Sequence, residues 1–369
     1  MRNEAQAVRA TLGRTGPFGL GLRLGARAAT QLKEPGTLAA FQSFLADAGL
    51  YVFTVNGFPY GPFHGTQVKE SVYAPDWSTP ERLAYTRDLV YILARLLPAG
   101  VPGSISTVPG SYRRWVDNDP YRDRILSGLG HAARACDAAR RETGRHIRLA
   151  IEPEPDCIWD TTADIIDLFR AEIPNRAAPL LAADTGVPVD TCRRMLLDHL
   201  GVCVDTCHQA VLFENVAGVL QTLVDAGIPL AKVQISAALS CRPSRTALTH
   251  LREFADPVYL HQTALRDSAG TVRRFPDLEE AVEAAARTAD PANAELRTHF
   301  HIPLSRGGYG ELESTRFTLD DAFFNLLRER CAPNLEVETY TFSVLPEQWQ
   351  KQGVVASIAS ELKWVIDRF

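Results

Sequence analysis

The chain has no apolar stretch near the roughly 18 uncharged residues that would span a bilayer. Its opening residues read as free of a secretory signal, because residues 17–24 are apolar but few, and Gly19, Gly21 and Arg23 interrupt them. A basic excess is also missing. The net charge is −5, whereas a nucleic-acid surface needs clustered Lys and Arg to neutralise phosphates. That balance still allows a small anionic substrate held by one or two arginines. The seven cysteines contain no CxxC pair, and Cys203 and Cys207 lie in or just after an apolar run. Such usage fits reduced, buried thiols in a cytoplasmic protein rather than a disulfide framework. Internal repeats and low-complexity tracts are absent, which excludes solenoids and arrays. What is present is ordinary for a soluble globular protein: 369 residues, 46% hydrophobic and 22% charged. The length is large for one domain, but α/β barrels often reach it as a single unit.

Strand and helix signals alternate along the chain. Residues 18–24, 51–56, 104–108, 148–152, 202–205, 232–236 and 335–340 read as strands. Helical segments separate them at 36–48, 79–97, 121–143, 161–172, 189–200, 216–226 and 320–330. Ser78-Thr79-Pro80-Glu81 is a helix start, with a hydroxyl residue before a proline in the first turn. Strands alternating with helices of ten or more residues imply βαβ units and a parallel sheet, hence an α/β fold of the (β/α)8 TIM-barrel type. Only seven regular strands can be counted, and a short helix at 4–12 precedes the first. Either a strand of the long segment before residue 335 completes the barrel, or the chain lacks strand one. That segment contains strand-like runs at 258–265 and 297–304 and an Ala-rich helix at 284–294. We therefore expect one domain over residues 1–369, with an insertion at 240–304 forming a lid over the barrel mouth.

Four of the strands carry an oxygen-bearing residue at or near their C-terminal end: Glu152, Asp205, Gln234 and Glu338. Parallel strands in a barrel bring their C-terminal ends to one mouth, so these four can surround one ion. Three carboxylates and an amide form a hard, oxygen-only set suited to Mn²⁺ or Mg²⁺. The two-residue alternation of a strand places Glu336 with Glu338, Lys232 with Gln234, and Arg148 with Glu152, one layer deeper in each case. Buried charges in that layer demand partners, so Glu336 reads as a structural partner of Lys232 or Arg148, and Glu338 as the ligand. The plain alternative for Glu152 and Asp205 is an acid capping the next helix. Glu154, in Pro153-Glu154-Pro155, is either a surface residue or a second polar group at the mouth. His208, three residues beyond Asp205, is within reach of the same pocket. His261, His299 and His301 fall in the insertion. The pair at 299 and 301 would share one strand face and could take Zn²⁺, although a polar wall for a substrate is the simpler reading. His64 closes the rigid loop Asn56-Gly57-Phe58-Pro59-Tyr60-Gly61-Pro62-Phe63-His64-Gly65, which follows a strand end.

At these residues the chain resembles the xylose-isomerase-like TIM-barrel superfamily of sugar and sugar-phosphate isomerases and epimerases. In its ketose epimerases and hydroxypyruvate isomerases, Glu, Asp, His or Gln, and Glu from four late strands hold one divalent ion. Glu152, Asp205, Gln234 and Glu338 match in order and type. The resemblance also implies that His208 of Asp205-Thr206-Cys207-His208 contacts substrate, and that Arg242 or Arg245 supplies a substrate arginine. More narrowly, residues 51–65, 103–110, 299–304 and 336–340 are similar to the EboE-type metabolite-traffic family of Ebo biosynthetic clusters. The reading these features imply is a metal-dependent isomerase or epimerase acting on a small polyhydroxylated metabolite, with Glu152 and Glu338 moving a proton through an enediolate. His208, His64, His261, His299, His301 and Arg242 would line the substrate. The expected cofactor is Mn²⁺ or Mg²⁺, with Zn²⁺ the alternative; neither nucleic-acid binding nor membrane insertion is expected. Two other functions fit the same barrel: a non-catalytic metabolite binder, and an endonuclease-IV-like phosphodiesterase.

Overall fold

The computed structural model describes residues 2–61, 69–255, 258–330, 334–339 and 341–369. Seven parallel strands form its centre: β1 (Phe18–Arg23), β2 (Leu50–Asn56), β3 (Gly103–Thr107), β4 (Ile147–Ile151), β5 (Leu200–Asp205), β6 (Leu230–Ile235) and, last in the chain, Leu335–Val337. They pair in that order, each with the next. Short apolar runs such as LGVCVD, buried at every position, suit strands covered on both faces. Helices fill the connections and cover the outside. Helix Pro80–Leu96 buries Leu89, Ile92 and Leu93, and helix Asp119–Thr143 buries Ile125, Leu126 and Leu129. The side chain of Asn118 starts the second by accepting from the Tyr121 amide at 2.8 Å.

The sheet curls until its first and last strands meet across a seam. Among the described residues β1 pairs only with β2, and Leu335–Val337 only with β6. Side chains bridge the seam instead, with Arg23 Nη2 3.2 Å from Glu338 Oε1. A Cβ at Gly21 would run into the Glu336 carboxylate, so any larger residue there would have to displace that side chain. Among the described residues the barrel is thus of the TIM type with seven strands rather than eight.

The segment between β6 and the last barrel strand does not complete the barrel. Its strands are β7 (Leu239–Cys241), β8 (Thr263–Arg266), β9 (Val272–Phe275), β10 (Glu295–Thr298), β11 (Gly308–Tyr309) and β12 (Leu312–Ser314). They form a separate antiparallel sheet in the order β11-β12-β7-β10-β8-β9. The two long strands expected from β-propensity are therefore six short ones. The sheet extends past residue 304 to Ser314, and the Ala-rich helix sits earlier than expected, at Leu278–Ala286. The helix expected over 161–172 continues as a wider-wound turn through Leu168–Ala177, which contains Pro174. A proline removes one amide donor and breaks the regular ladder there.

Gly128 shows how closely the outer layer packs. A Cβ on it would lie 2.5 Å from the Trp77 carbonyl oxygen. Alanine favours a helix over glycine by about 1 kcal/mol, but a backbone carbonyl cannot move aside as a side chain can. Gly128→Ala is therefore expected to destabilise the protein by about 1–3 kcal/mol, the usual range for overpacking. Urea denaturation checks this, and unchanged or raised stability would contradict it.

Candidate metal centre

The C-terminal ends of the barrel strands place the four expected residues around one point. Gln234 Nε2 donates to Glu152 Oε1 at 3.0 Å, to Asp205 Oδ2 at 3.1 Å and to Glu338 Oε2. One oxygen from each of the three carboxylates lies within 4.8 Å of the others. Asp205 divides its two oxygens. Oδ1 caps the short helix Thr206–Val211, accepting from the amides of Cys207 (2.8 Å) and His208 (3.3 Å), and also accepts from Ser236 Oγ at 2.6 Å. Oδ2 is left to face the centre. The capping role and the site role of this residue therefore coexist on different atoms. Glu338 is held similarly: Oε1 accepts from Asn56 Nδ2 at 2.8 Å and faces Arg23, while Oε2 turns to Gln234.

Strand parity places Lys232 and Glu336 in the deeper layer as expected. Lys232 is fully buried and its ammonium pairs with Glu336, with Ser106 Oγ 3.5 Å away. Burial alone would lower the Lys232 ammonium, but Glu336 above all, with Cys203, Glu338 and Glu152, outweighs it and holds the charge in place. Arg148 takes no part in this layer. Its guanidinium lies 3.7 Å from Asp198, at the opposite end of the barrel.

Packing carboxylates together raises their proton affinity. Burial, then the Glu338 carboxylate, pushes Glu152 up to about 8, and burial likewise raises Glu338. Burial pushes Asp205 upward too, but His208 and His301, helped by Ser236, reverse the balance and hold it below its usual value. The centre therefore favours a mixed state with Asp205 ionised and a proton among the glutamates. Because Glu152 binds its proton more tightly folded than unfolded, its stabilising contribution is greatest below about 4.5 and is lost as pH rises to about 8. In protein stripped of metal with a chelator, stability should fall across that window, and Glu152→Gln should flatten the fall. Denaturant midpoints at several pH values decide this, and equal slopes in both proteins would contradict it.

The residues fit a divalent cation. Three carboxylates converge on the single amide donor of Gln234, and Glu152 Oε2 is buried with no hydrogen-bond partner among the described residues. A half-turn of the amide would present Oε1 in place of Nε2, completing an all-oxygen set suited to Mg²⁺ or Mn²⁺.

Histidines form the opposite wall. His208 Nδ1 lies 2.9 Å from the Pro153 carbonyl, so that nitrogen carries the hydrogen. His299 Nδ1 lies 2.8 Å from Gln262 Oε1. The Gln262 amide nitrogen is committed to Tyr73 Oη (2.6 Å), Glu154 Oε1 (3.1 Å) and the Pro155 carbonyl (3.3 Å), which fixes the oxygen toward His299. The two Nε2 atoms then face each other at 3.2 Å, and a proton on His208 joins them. Burial lowers the His208 imidazolium, but Asp205, Glu154 and Glu152 more than compensate and bring it up to about 9. His301 Nε2 lies 3.9 Å from Asp205 Oδ2, and its Nδ1 lies 3.1 Å from the Glu338 carbonyl. His299 and His301 follow strand β10 rather than lying on it.

Arg23, Asn56, Tyr73, Glu152, Glu154, His208, His299, His301 and Glu338 line a half-open cavity at the barrel mouth. Glu154 is a buried mouth residue and accepts from Tyr73 Oη at 2.9 Å. Two expected substrate contacts lie elsewhere. Arg242 donates to the Ala292 carbonyl on the outer side of the insertion, because β7 carries it away from the barrel. His261 sits behind His299, with Nδ1 3.2 Å from the His299 carbonyl and its ring against Phe300. His64 lies outside the described residues. Arg23 and Asn56 were not anticipated. Both are last residues of strands, so the strand-end rule that found the acids finds them once it is widened to other polar types. Tyr73 and Gln262 carry no comparable signal, since one follows a loop and the other precedes an insertion strand.

No family model matches the chain, and neither does any curated protein. Among solved structures it is similar to the IolI protein with a bound zinc atom, at 12% identity over 98% of this chain and 90% of that one, with a TM-score of 0.47. It is also similar to the 3-keto-D-glucoside 4-epimerase YcjR from E. coli, at 15% identity over 62% and 74% of the chains, TM-score 0.34. A third is a xylose isomerase domain protein from Alicyclobacillus acidocaldarius subsp. acidocaldarius, at 14% identity over 63% and 67%, TM-score 0.33.

Proposed function

We propose that this chain is a divalent-metal-dependent isomerase or epimerase of a small polyhydroxylated metabolite, a sugar or sugar phosphate. On its sequence resemblance we place it with the EboE-type proteins of Ebo biosynthetic clusters. The observation that carries the reading is the meeting of Glu152 and Glu338 on one amide, beside Asp205. Two acids with raised proton affinity flank the point where a cation would sit, so each can take or return a proton next to a polarised carbonyl.

Glu152, Asp205, Gln234 and Glu338 would hold the ion. When bound, it would act as a Lewis acid on a carbonyl and its neighbouring hydroxyl, acidifying the C–H between them. Glu152 removes that proton, and Glu338 delivers one to the adjacent carbon or to the opposite face. Asn56 and Arg23 fix Glu338 through Oε1, leaving Oε2 directed into the centre beside the ion position. His208, His299 and His301 supply hydrogen bonds to hydroxyl oxygens, and the lobe from Leu239 to Ser314 acts as the lid that shapes the cavity. The insertion histidines also favour a second reading, phosphodiester hydrolysis, but the net charge of −5 opposes a nucleic-acid substrate.

The test is solvent exchange. Mn²⁺-loaded protein is incubated in D₂O with a panel of aldoses, ketoses and their phosphates, and proton NMR follows the C–H beside the carbonyl. Deuterium incorporation into at least one compound is expected. Tight binding of a panel member without exchange or conversion would overturn the enzyme reading in favour of a binder.

A further inference from the structure

A second cluster of ligand types lies at the other end of the barrel. His146 immediately precedes β4 and His199 immediately precedes β5, and these strands are neighbours in the sheet. Asp198 stands beside His199 at the end of helix Val189–His199, and helix Asp119–Thr143 contributes Asp137. One ligand atom from each of His146, Asp198 and His199 lies within 4.8 Å of the others.

His199 is the telling residue. It is 1% exposed, and its Nδ1 lies 2.8 Å from the Ile147 carbonyl. A carbonyl only accepts, so Nδ1 carries the hydrogen and Nε2 presents a lone pair when the ring is neutral. That nitrogen is buried without a hydrogen-bond partner among the described residues. It faces Asp137 Oδ1 and Asp198 Oδ2, each at 3.9 Å. Neither oxygen can donate to the neutral Nε2, so this buried lone pair lacks the partner that a cation beside the carboxylates would supply. The spacing suits an ion, since two ligands about 2.0–2.1 Å from a tetrahedral centre are separated by about 3.3 Å. His146 lies on the accessible side, with Nε2 3.4 Å from Asp198 Oδ1 and 3.1 Å from the Asp198 carbonyl; it supplies a second imidazole once the metal displaces the hydrogen that Nε2 gives to that carbonyl.

We propose that His146, His199, Asp198 and Asp137 form a metal site at the base of the barrel, separate from the carboxylate centre at its mouth. Two imidazoles and two carboxylates select a borderline divalent ion such as Zn²⁺ over Mg²⁺ or Ca²⁺. Bound there, the ion ties the starts of β4 and β5 to helix Asp119–Thr143. Without it, arginines neutralise the acids from outside. Arg140 Nη1 lies 2.5 Å from Asp198 Oδ2, Arg148 Nη2 lies 3.7 Å from Oδ1, and Arg141 pairs with Asp137. Arg140 and Arg141 are solvent-exposed and can swing away, so they compete with the metal rather than forbid it.

Zn²⁺ titration of the purified protein tests this, with bound metal counted after desalting and melting temperature recorded alongside. To silence the mouth, the titration is repeated in Glu152→Gln/Asp205→Asn, which should still bind one Zn²⁺ per chain and melt higher when loaded. Adding His146→Ala to that background should remove both effects; its half-buried position keeps the fold intact, as circular dichroism would verify. Arg140→Ala should instead tighten Zn²⁺ binding by about tenfold, the equivalent of 1.4 kcal/mol. With Co²⁺ the mouth-silenced protein should show the intense visible bands of a four-coordinate ion. A mouth-silenced protein that binds no Zn²⁺, retention of the ion after His146→Ala, or unchanged affinity in Arg140→Ala would overturn the site.

Discussion

Glu338→Gln is expected to cut solvent-deuterium exchange into substrate by about 10²- to 10⁴-fold, the usual contribution of a positioned acid or base, while leaving the fold intact. The substitution keeps the size of the side chain and its carbonyl oxygen. It can therefore still accept from Asn56 Nδ2, which lies 2.8 Å from Oε1. What it removes is the ability to carry a proton between carbon and the centre. Exchange must be measured at saturating Mn²⁺ with bound metal quantified, because Glu338 also faces the ion. A variant that binds metal and exchanges at the parent rate would remove Glu338 from the chemistry.

Glu336→Gln should show the opposite profile, a large loss of stability. Lys232 is 0% exposed, and Glu336 is the carboxylate paired with it. Breaking a buried pair from one side leaves an uncompensated charge and typically costs about 3–5 kcal/mol. Glu338 and Glu152 also act on the ammonium, so a value near the lower end is expected. Lys232→Met/Glu336→Gln removes both charges and should recover much of the loss. Urea denaturation of the three variants measures this, and a loss under about 1 kcal/mol in Glu336→Gln would contradict the assigned partnership.

Much of this arrangement is legible in the sequence because a strand's two-residue period acts on both faces at once. The apolar Leu149 and Ile151 fix which way Glu152 points, and the same period puts Glu336 and Glu338 on one face a layer apart, the deeper one against Lys232 and the other at the mouth. The helix start with strong chemistry, Thr79-Pro80, also stands where propensity puts it. The insertion was harder to read. Its six strands are two to four residues long, too short for alternation to register, so two longer runs stood in for the sheet. Arg242 and His261 misled because position after a ligand in sequence says nothing about which side of a new sheet a residue faces. The facing pair His208 and His299 depends on a contact across 91 positions, which no local pattern encodes. The cluster at the barrel base went unread for the same reason. His146 and His199 become neighbours only once β4 and β5 pair.

The account rests on one claim, that Glu152, Asp205, Gln234 and Glu338 together hold a divalent ion. Mn²⁺ binding followed by electron paramagnetic resonance tests it most directly, comparing the parent protein with Asp205→Asn. Asp205 is the residue to change because it is the carboxylate held in its ionised form, and asparagine preserves the Oδ1 cap of the helix Thr206–Val211. The account predicts one tightly bound Mn²⁺ per chain in the parent and binding weakened at least about tenfold in the variant. A parent that binds no Mn²⁺, or a variant that binds it equally well, would contradict the claim.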